Sequence, residues 1–173
     1  MTSATGNVSI PVGIVPFERR YSQAAFDCGE PTLNLWLKEQ ASQQEKRDNT
    51  RTFLAVEEDR VVGYYASCSY QLDLDALASA FGTGKRKYPV PAILLARLAA
   101  CKSVRGTGVG RRLLVHALDS AAQISRATGV ELLVVDALNT DAAAFYGRYG
   151  FETFMDNPSK LFIPTAVLRK AVG

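Results

Sequence analysis

The chain has 173 residues, 47% hydrophobic and 21% charged, with a net charge of +3. That suits one domain with a well-buried core, and it excludes a fibrous, collagen-like or mainly disordered chain. No run approaches the roughly 18 uncharged apolar residues of a membrane helix, and the first ten residues lack a secretory signal, so a cytoplasmic protein with no membrane partner is expected.

Residues 1–10 are small and polar and read as a loose N-terminus. Val12 to Phe17 reads as a short strand that Pro11 and Pro16 confine to an edge. Leu33, Trp36, Leu37, Gln40, Ala41 and Gln44 recur at helical spacing, so residues 32–47 are an amphipathic helix. Strands over 51–56 and 61–69, joined by Glu57-Glu58-Asp59-Arg60, form an antiparallel hairpin. A short helix fits 73–80, and residues 81–87 form a loop. Ala92 to Cys101 is a nearly continuous apolar run and reads as a central strand buried on both faces. Gly110, Leu113, Leu114, Ala117, Leu118, Ala121 and Ile124 mark one face of a long helix that ends before Gly129. A buried strand over 131–137 and a helix over 141–149 follow, the latter capped by Asn139 or Thr140. Two closing strands fit 151–155 and 160–168. This order is a mixed α/β domain.

Cys28, Cys68 and Cys101 are odd in number and without CxxC spacing, which argues against disulfides and structural zinc; no metal is expected. The one histidine, His116, excludes most His-dependent chemistry and reads as a solvated side chain. Residues 76–118 hold eight cations and no Asp or Glu: Lys85, Arg86, Lys87, Arg97, Lys102, Arg105, Arg111 and Arg112. On one face they would attract an anionic partner; as separate solvated charges they need none.

Chemistry concentrates in Leu98 to Gly110, where a strand runs through a glycine-rich turn into a long helix. Glycines allow close backbone approach, and the helix start offers free N–H donors and a positive dipole end, a combination suited to a diphosphate. The spacing of Gly106, Gly108 and Gly110 is not GxGxxG, and no GK[ST] follows, so dinucleotide and Walker loops are excluded.

Arg105-x-x-Gly108-x-Gly110 resembles the acetyl-CoA pyrophosphate motif of the GNAT N-acetyltransferases. The stretch from Asn139 through Ala142, Phe145, Tyr146 and Gly150 to Phe151 resembles that family's NxxAxxFYxxxGF block. Phe26-Asp27-Cys28-Gly29, Leu33-Asn34-Leu35-Trp36-Leu37, Val62-Gly63-Tyr64-Tyr65 and Leu95-Ala96-Arg97-Leu98-Ala99 resemble the TacT-like GNAT toxins of bacterial toxin–antitoxin pairs. The resemblance spans roughly residues 15–165. Ala100-Cys101 departs from the Val-Asp common in that group.

The resemblance implies one GNAT domain over 11–173, with a mixed central sheet flanked by helices and acetyl-CoA in a cleft beside the central strand. It implies acetyl transfer to the α-amino group of aminoacyl-tRNA, a ribbon-helix-helix antitoxin partner and a homodimer. Leu98, Ala99 and Ala100 would lie along the pantetheine arm and thioester, with one backbone N–H polarising the carbonyl. Arg105, Gly106, Thr107, Gly108, Val109, Gly110 and Arg111 would hold the diphosphate. Asn139 would touch the pantetheine, cap a helix, or do both. Tyr146 would be the general acid, since a phenol with a pKa of about 10 is protonated at neutral pH. Glu131, Asp136 and Asp141 are all candidate bases through water, and spacing selects none. Cys101 offers a covalent alternative. Lys85, Arg86, Lys87 and Arg97 would meet RNA phosphates. The alternatives are transfer to a small amine or a protein N-terminus, and a non-catalytic module that binds CoA or an antitoxin.

Overall fold

The computed structural model describes residues 12–82 and 87–172. The segment 1–10, Lys85 and Arg86 lie outside the described residues.

Seven strands form one sheet in the order β1-β2-β3-β4-β5-β7-β6. They are β1 Gly13–Pro16, β2 Arg51–Glu57, β3 Arg60–Leu72, β4 Val90–Ala100, β5 Leu132–Asp136, β6 Glu152–Phe154 and β7 Asn157–Pro164. Only β4 and β5 pair in parallel; α4 (Val109–Ala127) makes that crossover. The hairpin between β2 and β3 turns at Glu58 and Asp59, both with positive φ, the twist that matches antiparallel strands.

Three helices flank the first half of the chain: α1 Pro31–Leu35, α2 Ala41–Lys46 and α3 Leu74–Phe81. Between α1 and α2 the backbone widens into a π-helical turn over Trp36–Gln40. The expected helix over 32–47 is therefore interrupted, and the adjacent Trp36 and Leu37 are both buried. Asp73 caps α3 by accepting from Ala76 N–H at 2.8 Å. The second half adds α5 Thr140–Gly147 and α6 Thr165–Val172.

The last expected strand, 160–168, is corrected. The ladder stops at Pro164, and α6 follows. Thr165 turns its hydroxyl onto the carbonyls of Val130 and Glu131, Leu168 is buried, and Arg169 donates to Ser125 of α4 at 3.0 Å. These long-range contacts override the strand preference of Thr165 and Val167.

The core runs between sheet and helices. Alternation along β5 sends Leu133 and Val135 to one cluster and Leu132 and Val134 to another, beneath α3. Gly63 lets α4 approach β3: a Cβ there would stand 2.8 Å from Leu113 Cδ1 and 3.1 Å from Ala99 O.

One irregularity positions the site. β4 pairs with β3 as far as Ala100, but with β5 only over Ala92–Leu95. Ala96 is an extra residue on β4, since Leu95 opposes Ser67 and Arg97 opposes Ala66. Such a bulge bends the strand. β4 is central in the sheet as expected, but only its first half is paired along both edges.

Candidate active site

Where β4 and β5 part, a cavity of about 300 Å³ opens. Ala96 to Ala100 form one wall; Asp136, Leu138, Asn139, Ala142 and Tyr146 form the other; Cys28, Glu30, Leu33 and Arg105 close it. Cys101 N–H donates to Val62 O on the β3 side at 2.7 Å. Successive residues of a strand direct their backbone polar groups to opposite sides. Leu98 and Ala100 therefore turn their N–H and C=O groups toward the opening, while Ala99 faces β3.

After β4, a 3₁₀ turn over Lys102–Val104 leads to Gly106 and Gly108, at φ +76° and +88°. These left-handed conformations suit glycine. Gly108 caps α4 with no side-chain bond, so the first-turn N–H groups of Val109, Gly110 and Arg111 have no acceptor within the helix. A Cβ on Gly106, Gly108 or Gly110 would meet nothing within 4 Å. Thr107 spends its hydroxyl on Val104 O and so braces the turn. Above the turn lies a second cavity of about 760 Å³, walled by the turn and by Phe145, Arg148 and Tyr149; it shares Ala100 and Arg105 with the first. Unsatisfied donors, open space and an exposed strand edge lie along adjoining cavities and together fit an extended amide chain ending in a diphosphate, the shape of acetyl-CoA.

The motif around Asp27 is a brace for this channel. Asp27 accepts from Gly29 N–H at 2.9 Å and from Asn34 Nδ2 at 3.0 Å, and pairs with Lys102 at 3.5 Å. These bonds from Gly29 and Asn34, then burial's opposing effect and Lys102, leave its carboxyl below the ordinary range. Asn34 also accepts from Cys28 N–H at 2.9 Å, and Arg105 donates to Cys28 O at 3.3 Å.

Tyr146 is buried in the channel wall, edge-on to Phe145 and Phe151. Burial, with a further push from the Asp136 charge, raises its hydroxyl to about 12. It stays protonated across the physiological range and can donate to a departing thiolate. Asn139 caps α5 by accepting from Ala142 N–H at 2.8 Å, and it also lines the cavity, so both expected roles are open to it. Of the three carboxylates, Asp136 faces the channel and pairs with Lys160 at 3.9 Å. Glu131 sits near Pro91, and Asp141 is exposed in the first turn of α5. Cys101 is buried and lines neither cavity, so the covalent route has no support.

The described basic residues differ in their surroundings. Lys102 is tied to Asp27, and Arg105 reaches Cys28 O. Lys87 is exposed beyond the start of β4, roughly 30 Å of extended chain from Arg97. Arg97 lies in the cleft with its guanidinium 4.4 Å from the Trp36 ring centroid. The solvated reading of His116 is corrected: its Nδ1 is 2.6 Å from Tyr65 Oη and its ring packs on Phe53 at 4.7 Å. Burial, partly offset by Asp119, lowers its pKa.

The β4 bulge and the Trp36–Arg97 stack are the parts of the site that the sequence alone does not reveal. Their one signal is a lone arginine inside an apolar run.

A profile of the acetyltransferase (GNAT) domain matches residues 48–153. A curated relative from Mycobacterium tuberculosis, named a tRNA-acetylating toxin, is 34% identical over 161 residues, covering 90% of this chain and 95% of its own. A crystal structure of a tyrosine-to-phenylalanine mutant of KacT superimposes with a TM-score of 0.84 at 31% identity, covering 92% of this chain and 98% of that one. AtaT complexed with acetyl-methionyl-tRNAfMet superimposes with a TM-score of 0.83 at 29% identity, covering 94% and 100%. A mutant AtaT toxin bound to the C-terminus of the antitoxin AtaR and acetyl-CoA superimposes with a TM-score of 0.80 at 28% identity, covering 93% and 98%.

Proposed function

Because the chain belongs to the acetyltransferase (GNAT) family, in its branch of TacT-like toxins, we propose that it moves acetyl from acetyl-CoA to the α-amino group of aminoacyl-tRNA and so arrests translation in the cytoplasm. The observation that carries this reading is the half-open β4, with free backbone donors on one side of a cleft and Tyr146 on the other.

Acetyl-CoA supplies an activated thioester. The uncapped start of α4, with Arg105 and Arg111, binds its diphosphate. The inward N–H groups of Leu98 and Ala100 pair with the amide-rich arm, and one of them polarises the thioester carbonyl. Asn139 steadies the arm. Tyr146 donates its proton to the leaving sulfur. An α-amino group, with a pKa of about 8, carries a useful neutral fraction at pH 7, so it attacks directly without a dedicated base; the proton it sheds as the amide forms passes to water, and Tyr146 regains its own from water. A lysine amine, at about 10.4, would need such a base.

Lys85, Arg86 and Lys87 contribute phosphate contacts, so binding weakens as salt rises. The acetyltransferase pairs with a ribbon-helix-helix antitoxin and forms a homodimer, a state that light scattering of the free toxin checks.

The test is labelled acetyl transfer to a mixed pool of charged tRNAs. Charged but not deacylated tRNA should be labelled by the wild type. Absence of labelling by protein that binds acetyl-CoA would overturn the tRNA reading and favour small amines or protein N-termini.

A further inference from the structure

Trp36 is only 4% exposed, and the guanidinium laid over its ring is that of Arg97, which lines the cleft. Behind the indole, Tyr64 stacks at 5.7 Å with rings 12° from parallel, and Phe26 meets Tyr64 edge-on at 5.6 Å. Tyr64 donates its hydroxyl to Leu33 O at 2.7 Å, which pins the assembly to α1. The guanidinium therefore rests on a rigid aromatic support.

The other charged groups of the cavity are Glu30, Arg105 and Asp136. Arg105 donates to Cys28 O, and Asp136 pairs with Lys160. Among the described residues no carboxylate pairs with Arg97. Its contact is the indole beneath, and its remaining surface lines the cavity.

We infer that the Trp36–Arg97 stack is a nucleobase platform that takes the 3′-terminal base of the acceptor RNA, a role that rests on the acceptor being aminoacyl-tRNA. Arg97 neighbours Leu98, whose backbone faces the reacting thioester in the proposed reaction. An aminoacyl ester joins its amine to the terminal ribose through a few bonds. With the amine at the open edge of β4, the group brought nearest Arg97 is that terminal nucleoside. A duplex does not enter a cavity of about 300 Å³, so the part of the RNA that enters it is the single-stranded chain end. An arginine plane stacks on bases, and its edge donors can meet ribose or ester oxygens. Arg97 is thus a positioning residue for the chain end.

Trp36 is the one tryptophan in the sequence, so its fluorescence reports the platform directly. Adenosine titrated into the full-length protein should shift Trp36 emission saturably, and the same titration of Arg97→Lys should not. In parallel, kcat/KM is measured for one amino acid as its adenosine 3′-ester and as its methyl ester. The wild type should favour the adenosine ester by about tenfold or more, the range of base stacking on a side chain. Arg97→Lys keeps the charge and should lose that preference, the adenosine ester falling several-fold more than the methyl ester. A preference that survives in Arg97→Lys, an equal loss for both esters, or a defect seen only with whole tRNA and erased by salt would overturn the platform. Failure of the wild type to acetylate any charged tRNA would instead overturn the proposed function. A silent Trp36 in the wild-type titration would overturn the platform without reference to any variant.

Discussion

The two halves of β4 belong to one apolar run, broken by Arg97 in the second, and do opposite work. Over Ala92–Leu95 the strand is paired on both edges and packs into both core clusters. From Ala96 onward it keeps β3 and loses β5. The first half satisfies its backbone internally; the second turns the N–H and C=O groups of Leu98 and Ala100 toward a ligand. A reactive edge has been made inside a sheet by one extra residue and one strand that stops, with no polar side chain required. Stability should therefore reside in the closed half and catalysis across the open one.

The sharpest way to break that division is Tyr146→Phe. It removes one hydroxyl from the wall opposite the open half and leaves the ring packing. Acetyl transfer should fall about a hundredfold or more, the range for a general acid, with acetyl-CoA affinity and melting temperature nearly unchanged. A loss under about threefold would remove Tyr146 from the chemistry. Next in size, Leu95→Ala in the closed half should cost about 2–5 kcal/mol in denaturant unfolding, and Leu98→Ala in the open half clearly less. Equal costs would refute the division. Gly63→Ala tests the support that β3 and α4 give the open half, since the new Cβ would press Leu113 and the carbonyl of Ala99. It should cost about 1–3 kcal/mol and lower acetyl transfer as well. At Gly108 the backbone is left-handed with open space above. Gly108→Ala should cost about 1 kcal/mol of backbone strain and weaken acetyl-CoA binding in calorimetry by more than that strain predicts.

Much of this molecule is legible in its sequence because the chemistry that shapes it is local. The run from β4 through Gly106 and Gly108 into α4 is recorded in glycine placement and in a 3.6-residue period, both of which act within a few residues. Tyr146 stands out through its motif, since nothing in its spacing separates it from Phe145 or Tyr149. The illegible parts depend on partners distant in sequence. The bulge at Ala96 exists only in the register against Ala66 and Ser67. By spacing alone Trp36 is an ordinary helix-core residue and Arg97 one cation of eight in a stretch without acids; only the fold lays one over the other. The C-terminal segment reads as strand because Thr165 and Val167 favour strands, whereas its helix is stabilised by Leu168 in the core and Arg169 against Ser125.

The smallest effect concerns pH and follows from burial of the same wall. Tyr146 has its hydroxyl raised to about 12, first by burial and then by the Asp136 charge. An unfolded tyrosine ionises near 10. Between those values the unfolded chain releases the proton while the folded one retains it, so Tyr146 contributes stability that is fully present below about pH 10 and lost as pH rises toward 12. Tyr65, also raised to about 12 by burial, with a weaker lowering from Ser120, loses its contribution over the same window. Tyrosinate absorbance of the wild type minus that of Tyr146→Phe isolates one ionisation. It should have its midpoint well above 10, and the mutant should lose part of the alkaline destabilisation. A midpoint at or below 10 would mean that the hydroxyl is solvated, and the wall facing the open half of β4 would then lack the dry proton donor that sets it apart.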